Sequence, residues 1–362
     1  YETLVIFIVL ARFFKTEESF ARDTKILVFG GYYNVFSVVF VLIFITSVGL
    51  WLLVPEISMR FSSIFKLDTV MNIATNVNKE NLSFSDRGLY TVGTILINIC
   101  RYLLSTILLV YMRRISERRL FGIIATIGVL IANLFLVSTE MAIVFFCAIY
   151  IFLIATKLWP NIKGALICIF VIGGSIGVFF LAFIKSGMSS INDFFSSMGS
   201  ILQAYFPGIF NMCGTISLPK GDFFDSLFAD LYSIIPFRNS LFGLQVTNTS
   251  DIFNTYNGIA GQIVPLVGES YYLFGTLFAP LLSGLFVHYS IKTSKRMRTC
   301  NDMIQYSALS LTTIYLSIGT ICYNFILIGQ TFTVLIIPIM LLSHFSHKQY
   351  YIMGETNDHI EA

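Results

Sequence analysis

The chain has 362 residues, 56% of them hydrophobic and 12% charged, with a formal net charge of +3. Together with a mean hydropathy of +0.79, that balance excludes an ordinary soluble domain and requires a bilayer as part of the solvent. The 36 Phe and 18 Tyr fit that setting, because large rings favour hydrocarbon and its interfaces.

A helix needs about 20 apolar residues to cross the hydrocarbon, so long charge-free runs mark the expected crossings. Tyr1 to Leu10 reads as the tail of one span, already apolar at its first residue and without a methionine, so that further spans are expected to precede it. Ile26 to Val54 is uncharged, and Pro55 to Leu89 follows as a loop. Tyr90 to Met112 is a span interrupted by Arg101. Leu120 to Thr139 and Met141 to Thr156 form a pair joined at Glu140, and Gly164 to Ile184 is the next crossing. The segment from Lys185 to about Ile263 is too long for a connector and carries apolar pieces of its own. Within it, Ile201 to Met212 is broken by Pro207 and Gly208 and predicts a re-entrant or interfacial helix, and Asp222 to Phe237 predicts an amphipathic surface helix. Ser270 to Ile291 is a further span. Met303 to Phe345 lacks Asp, Glu, Lys and Arg over roughly twice the length of one crossing, so it must fold back near Asn324 to Gln330. The sum is eight full spans and one fragment.

Alternate connections divide the basic residues unequally. One set holds 15, mostly in short loops around Arg12, Arg113, Lys157 and Arg296; the other holds seven, Arg60, Lys66, Lys79, Arg87, Lys185, Lys220 and Arg238. The positive-inside rule puts the first set in the cytoplasm, which leaves both long loops outside. The expected division is therefore an N-terminal transmembrane bundle at 1–184 with an outer loop at 55–89, a large extracytoplasmic loop at 185–263, and C-terminal transmembrane helices with a cytoplasmic tail at 264–362.

No dinucleotide, Walker, zinc-protease or paired-cysteine motif stands in a credible context, so no cofactor is expected. Cys100, Cys147, Cys168 and Cys322 lie within apolar runs and imply no disulfide framework. His288, His344, His347 and His359 all fall toward the cytoplasmic side or the tail, which argues against an outward histidine base or a metal site. Chemistry is left to carboxylates, guanidiniums and tyrosines. Arg101 sits at mid-span, where an isolated charge costs at least ~2.5 kcal/mol; it reads either as an anchor for a lipid-linked phosphate or gate, or as half of a structural salt bridge. Glu140 reads as a base or sugar ligand, or as a solvated hairpin tip. Lys185 and Arg238 are placed to neutralise a diphosphate, Lys185 having interfacial snorkelling as its rival explanation. Asn254 to Gly275 gathers glycines, Glu269 and Tyr271; these tyrosines, like Tyr205, either meet sugars or form an interfacial belt. Asp222, Asp225 and Asp230 read as the solvated face of their amphipathic segment.

With its many spans, one dominant outer loop late in the sequence, a Tyr205 to Gly208 break (YFPG) and the run VGESYYLFGTLFAPLLSG, the chain resembles the bacterial O-antigen and capsule repeat-unit polymerases, the Wzy family, over most of its length. The resemblance implies an all-α polytopic membrane protein, a glycosyltransferase C-type helical bundle in the bacterial inner (cytoplasmic) membrane with its active site on the extracytoplasmic face. It implies undecaprenyl-diphosphate-linked oligosaccharides as substrates, and transfer of the growing glycan to a fresh lipid-linked repeat without nucleotide sugar, metal or other cofactor. Membrane lipids and a chain-length regulator, a Wzz-type co-polymerase, are the other implied partners; no nucleic acid is. Catalysis is then expected of Glu140, Glu269 and Arg238, and binding of diphosphate and glycan of Arg101, Lys185, Tyr205 and Tyr271. Two departures stand out: Ser138, Thr139 and Glu140 occupy the short outer turn where family members commonly place an arginine, and the eleventh residue after Arg238 is Thr249 rather than glycine.

Two rivals differ in class. An O-antigen ligase leans on an outer-loop histidine, which the Lys185 to Ile263 segment lacks. A lipid-linked oligosaccharide flippase or other transporter shows paired repeats and short loops around a midplane site, for which Arg101 is the best argument.

Overall fold

The computed structural model describes residues 26–27, 35–61, 84–134, 141–185, 209–236, 238, 246–258, 263–300, 302–344 and 350–351, with isolated positions at 192, 195, 196 and 199. These are almost entirely helical and fall into two compact units, the first within residues 17–161, 293–311 and 334–362, the second within residues 1–16, 162–292 and 312–333. Tyr1 to Leu10, the Ile201 to Gly208 break, Glu140 and Tyr205 lie outside the described residues.

In the first unit, α1 (Val35–Leu53), α2 (Pro55–Arg60), α3 (Phe84–Ile115), α4 (Arg119–Leu134) and α5 (Met141–Leu158) follow one another. The 32-residue α3 is the hub, packing against α1, α2, α4, α5 and the late helix α15 (Ile337–His344). Pro55 starts α2 directly after α1, as a residue without an N–H is suited to a first helical turn. Val54, Ile57 and Phe61 then close onto Tyr90 and Ile97 of α3. Gly93 eases the approach, because a Cβ there would meet the end of the Ile57 side chain. On the other side of the hub, Gly122 of α4 lies against the Trp159 ring, whose Nε1 donates to the Ser116 carbonyl. A two-residue antiparallel pair, β1 (Ile26–Leu27) with β2 (Tyr350–Tyr351), is the extent of β-structure among the described residues.

The second unit holds α6 (Lys163–Lys185), α7 (Ile209–Ile216), α8 (Phe223–Ile234), α9 (Thr249–Asn257), α10 (Leu266–Phe278), α11 (Leu281–Thr299) as far as Lys292, and, from Thr312, the end of α12 (Met303–Ser317), then α13 (Gly319–Cys322) and α14 (Phe325–Thr331). Local chemistry sets its helix ends. Asp222 caps α8 by accepting from the Phe224 and Asp225 amides, Asn248 and Asp251 form a reciprocal capping box on α9, and Gly258 closes α9 with φ +63°, a left-handed conformation that glycine takes without strain. Leu218, Phe253, Val264, Tyr272 and Leu273 form the apolar core that joins these helices.

Phe36–Leu53, Gly88–Ile115 and Phe325–Ser343, the last running through a π-helical turn into α15, are long and apolar enough to cross a membrane; α10 with α11 makes a fourth if taken together. Three more apolar helices, Arg119–Asn133, Phe145–Leu158 and Pro160–Ser175, are shorter over the described residues. The chain is thus a helical membrane protein. The expected straight crossing from Ser270 to Ile291 is instead an elbow of 108°. Pro280 has no N–H to continue the helix, and Gly275 already leaves helical geometry at φ +76°. In the long uncharged run, the break falls at Tyr323–Asn324, the leading edge of the expected turn, where Asn324 caps α14 by accepting from the Leu327 amide.

Candidate functional site

A chain of polar contacts runs through the second unit. Asp230, on the inner face of α8, is fully buried, and its two oxygens accept from the Thr249 amide at 2.8 Å and the Thr249 hydroxyl at 2.7 Å. Beside it Asn248 Nδ2 donates to Ser233 Oγ, and Gln330 Nε2 of α14 donates to the Ser233 carbonyl. The next residue of α9, Ser250, accepts from Asn324 Nδ2 at 2.6 Å. Asn324 stands immediately before Phe325, whose amide donates to Glu269 Oε2 at 2.6 Å. The contacts thus lead from α8 through α9 and the start of α14 to Glu269 on α10.

Glu269 is the most constrained ionisable group on this path. Its side chain is 0% exposed. It stands on the amides of Phe325 and Ile326, the positive end of a helix, and within electrostatic reach of Asp230. Its other oxygen, Oε1, has no hydrogen-bond partner among the described residues. A carboxylate pinned through one oxygen and unpartnered at the other is suited to accept a proton or a hydrogen bond from a hydroxyl. Burial also pushes the Asp230 carboxyl above its ordinary value, and the bonds from Thr249 oppose that shift.

Arg238 follows α8 in the same unit and is half-buried. Its carbonyl accepts from the Tyr232 hydroxyl at 3.0 Å and its guanidinium lies 5.8 Å from the centre of the Tyr232 ring. That arrangement fixes the arginine while Nη1 stays without a partner among the described residues. Tyr271, on α10, has Lys220 over its ring at 5.8 Å. Lys185 is the last residue of α6.

Arg101 belongs to the first unit, in the middle of α3, and is 3% exposed. The structural salt bridge considered for it is not found among the described residues. Instead its Nε donates to Asn133 Oδ1 at 3.2 Å and Nη2 to the Asn133 carbonyl at 3.4 Å, while Nη1 has no hydrogen-bond partner among the described residues. Asn133 is itself fixed by donating to Ser105 Oγ and the Val129 carbonyl. Further along α3, Tyr150 of α5 bonds Thr106 and, on α12, Ser307, and donates to the Tyr102 carbonyl.

Of the residues singled out in the sequence, Glu269, Arg238 and Tyr271 thus fall in one unit and Arg101 in the other. Asp230 corrects its reading as part of a solvated face: Asp222 and Asp225 are exposed, but Asp230 is enclosed. Asn324, Thr249 and Ser250 carry the contacts to Glu269; the sequence marks Asn324 only as the start of a turn and Thr249 only by its spacing from Arg238, and gives Ser250 no role. No group of three or more His, Cys, Asp or Glu suited to a metal ion occurs among the described residues. No family model matches the chain, and no curated protein and no solved structure shows significant similarity to it.

Proposed function

We propose that the chain is a membrane glycosyltransferase of glycosyltransferase C type that polymerises undecaprenyl-diphosphate-linked oligosaccharide repeat units at the extracytoplasmic face of a bacterial inner membrane, in O-antigen or capsular polysaccharide synthesis. The observation that carries this reading is Glu269: a fully buried carboxyl with one oxygen on a helix N-terminus and the other enclosed without a partner among the described residues, on the elbow helix against which α7 and α8 of the long segment pack. In the proposed reaction the terminal hydroxyl of a fresh lipid-linked repeat attacks the anomeric carbon of the growing glycan. The bond to the lipid diphosphate breaks, the diphosphate departs as the anion, and the hydroxyl proton passes to Glu269 Oε1. Arg238, held by Tyr232 and with Nη1 unpartnered among the described residues, meets the leaving diphosphate with its planar fork. Tyr271 and Lys185 serve glycan and diphosphate binding, with Tyr205 and Glu140 as further candidates, and a Wzz-type regulator sets chain length.

A flippase is the second reading, and one observation favours it: Arg101, buried at mid-span with no acidic partner among the described residues. Deleting the gene in its host and resolving the surface glycan on a gel separates the possibilities. Loss of a polymerase leaves core carrying a single repeat. Loss of a flippase leaves no repeat at the surface, and loss of a ligase leaves polymer on its lipid carrier; either of these last two patterns overturns the proposal.

A further inference from the structure

The amphipathic helix α8 is reversed relative to a helix on a water-soluble surface. Its inner face is Ala229, Asp230, Tyr232 and Ser233, all buried and three of them polar. Its outer face is a stripe at helical spacing, Phe224, Phe228 and Leu231, exposed by 75%, 55% and 47%, followed by the extended C-cap residue Ile235 at 40%. The polar exposed residues, Asp222 and Asp225, are confined to the N-terminal end, beside Lys220.

The other end of α8 is fixed against a membrane-length helix. A helix C-terminus leaves its last carbonyls without partners inside the helix. Here Ser233 O accepts from Gln330 Nε2 at 2.8 Å, and Ile234 O accepts from Thr333 Oγ1 at 3.2 Å. Ile234 also fills the space above Gly329, where a Cβ would lie 2.6 Å from its side chain. Gln330 and Thr333 belong to the apolar stretch Phe325–Ser343. They lie five and eight residues past its start, about 8 and 12 Å along the axis at 1.5 Å per residue. Irregular backbone at that depth is tolerated only where neighbouring protein satisfies it, which is what these two side chains do.

We propose that α8 dips into the bilayer beside the Phe325–Ser343 span, N-terminus at the water interface and C-terminus at hydrocarbon depth, with Phe224, Phe228, Leu231 and Ile235 against lipid acyl chains. Burial of the polar face, exposure of the apolar one, charge restricted to one end and carbonyls bonded by a spanning helix all require an apolar medium on the outside of α8. This inference concerns the helix and its medium and does not rest on the proposed reaction, which the glycan gel tests separately.

The test uses the full chain in vesicles. Tryptophan is introduced singly as Phe224→Trp, Phe228→Trp, Leu231→Trp and Ile235→Trp, and the fluorescence of the parent, from Trp51 and Trp159, is subtracted. Lipids brominated on the acyl chain are expected to quench Leu231→Trp and Ile235→Trp at least two-fold more than aqueous iodide does, with Phe224→Trp the least protected from iodide. Iodide quenching without bromolipid quenching at Leu231→Trp and Ile235→Trp would place the stripe in water and overturn the inference. Bromolipid quenching that grows as the protein is diluted in lipid would put a second copy on the stripe and overturn it equally. Each variant retains a large apolar side chain, and unchanged far-ultraviolet dichroism confirms that its helices are intact.

Discussion

Arg101 in the first unit and Glu269 in the second are both enclosed, 3% and 0% exposed, yet neither forms an ion pair among the described residues. An isolated charge in an apolar interior is costly unless dipoles replace the water it has lost. The cation takes them from Asn133, side chain and backbone, which α4 holds rigid through Val129, and from the Cys147 thiol beside it. The Glu269 carboxyl takes them from the amides of Phe325 and Ile326, which are free only because the chain breaks at Tyr323–Asn324 and starts a new helix. Arg101 is thus tied to the pairing of two continuous helices, and Glu269 to a discontinuity. Each keeps one polar atom without a partner among the described residues, Nη1 and Oε1.

Substitution at Glu269 breaks this comparison hardest. In Glu269→Gln the amide oxygen still accepts from Phe325, so a purely structural carboxylate predicts polymer formation close to that of the parent. As a base, Glu269 predicts a loss of at least about 100-fold, measured as polymer made from purified lipid-linked repeats. Arg238→Ala comes next, with an expected loss of about ten- to a hundredfold while protein level and single-repeat product persist. Arg238→Lys restores only part, because an ammonium lacks the planar fork; normal ladders from the alanine variant would remove Arg238 from the site. Arg101→Leu is milder. The KM for the lipid-linked substrate is expected to rise about ten-fold with little change in kcat, and wild-type ladders with an unchanged KM would make the buried cation purely structural.

How far these contacts were legible beforehand differs between the two charges. Arg101 was visible as a lone cation in an apolar run, because mid-span charge is rare enough to stand out whatever surrounds it. Its partner was not, since Asn133 carries no charge and sits in a stretch that reads as lipid-facing. Glu269 was marked by the glycines and aromatics around it, but the Pro280 elbow that places its helix was read as part of one straight span. Pro280 and Gly275 supplied the signal. Asp230 was misjudged for a general reason: the rule that the polar face of a helix meets solvent assumes water outside. The stripe Phe224, Phe228 and Leu231 at helical spacing, followed by Ile235, was the cue that α8 faces the other way.

Asp230 also sharpens the comparison, since it repeats in a smaller form what Glu269 does, a carboxylate on the first amide of a helix. Asp230→Asn keeps one acceptor for the Thr249 amide but turns a doubly bonded carboxylate into a neutral amide, so the Thr249 hydroxyl must find another acceptor. The expected cost is about 1 kcal/mol, the difference between a charge-assisted bond and a neutral one, read from denaturant unfolding of the purified protein in detergent micelles. The kcat is expected to change far less than in Glu269→Gln, because Asp230 is hydrogen-bonded toward Glu269 only through Thr249, Ser250 and Asn324 and otherwise acts on it through its charge. A variant more stable than the parent would mean that repulsion between Asp230 and Glu269 outweighs both bonds to Thr249. The two carboxylates would then act as one coupled pair, and the contrast between a fixed cation and an independently held carboxyl would fail.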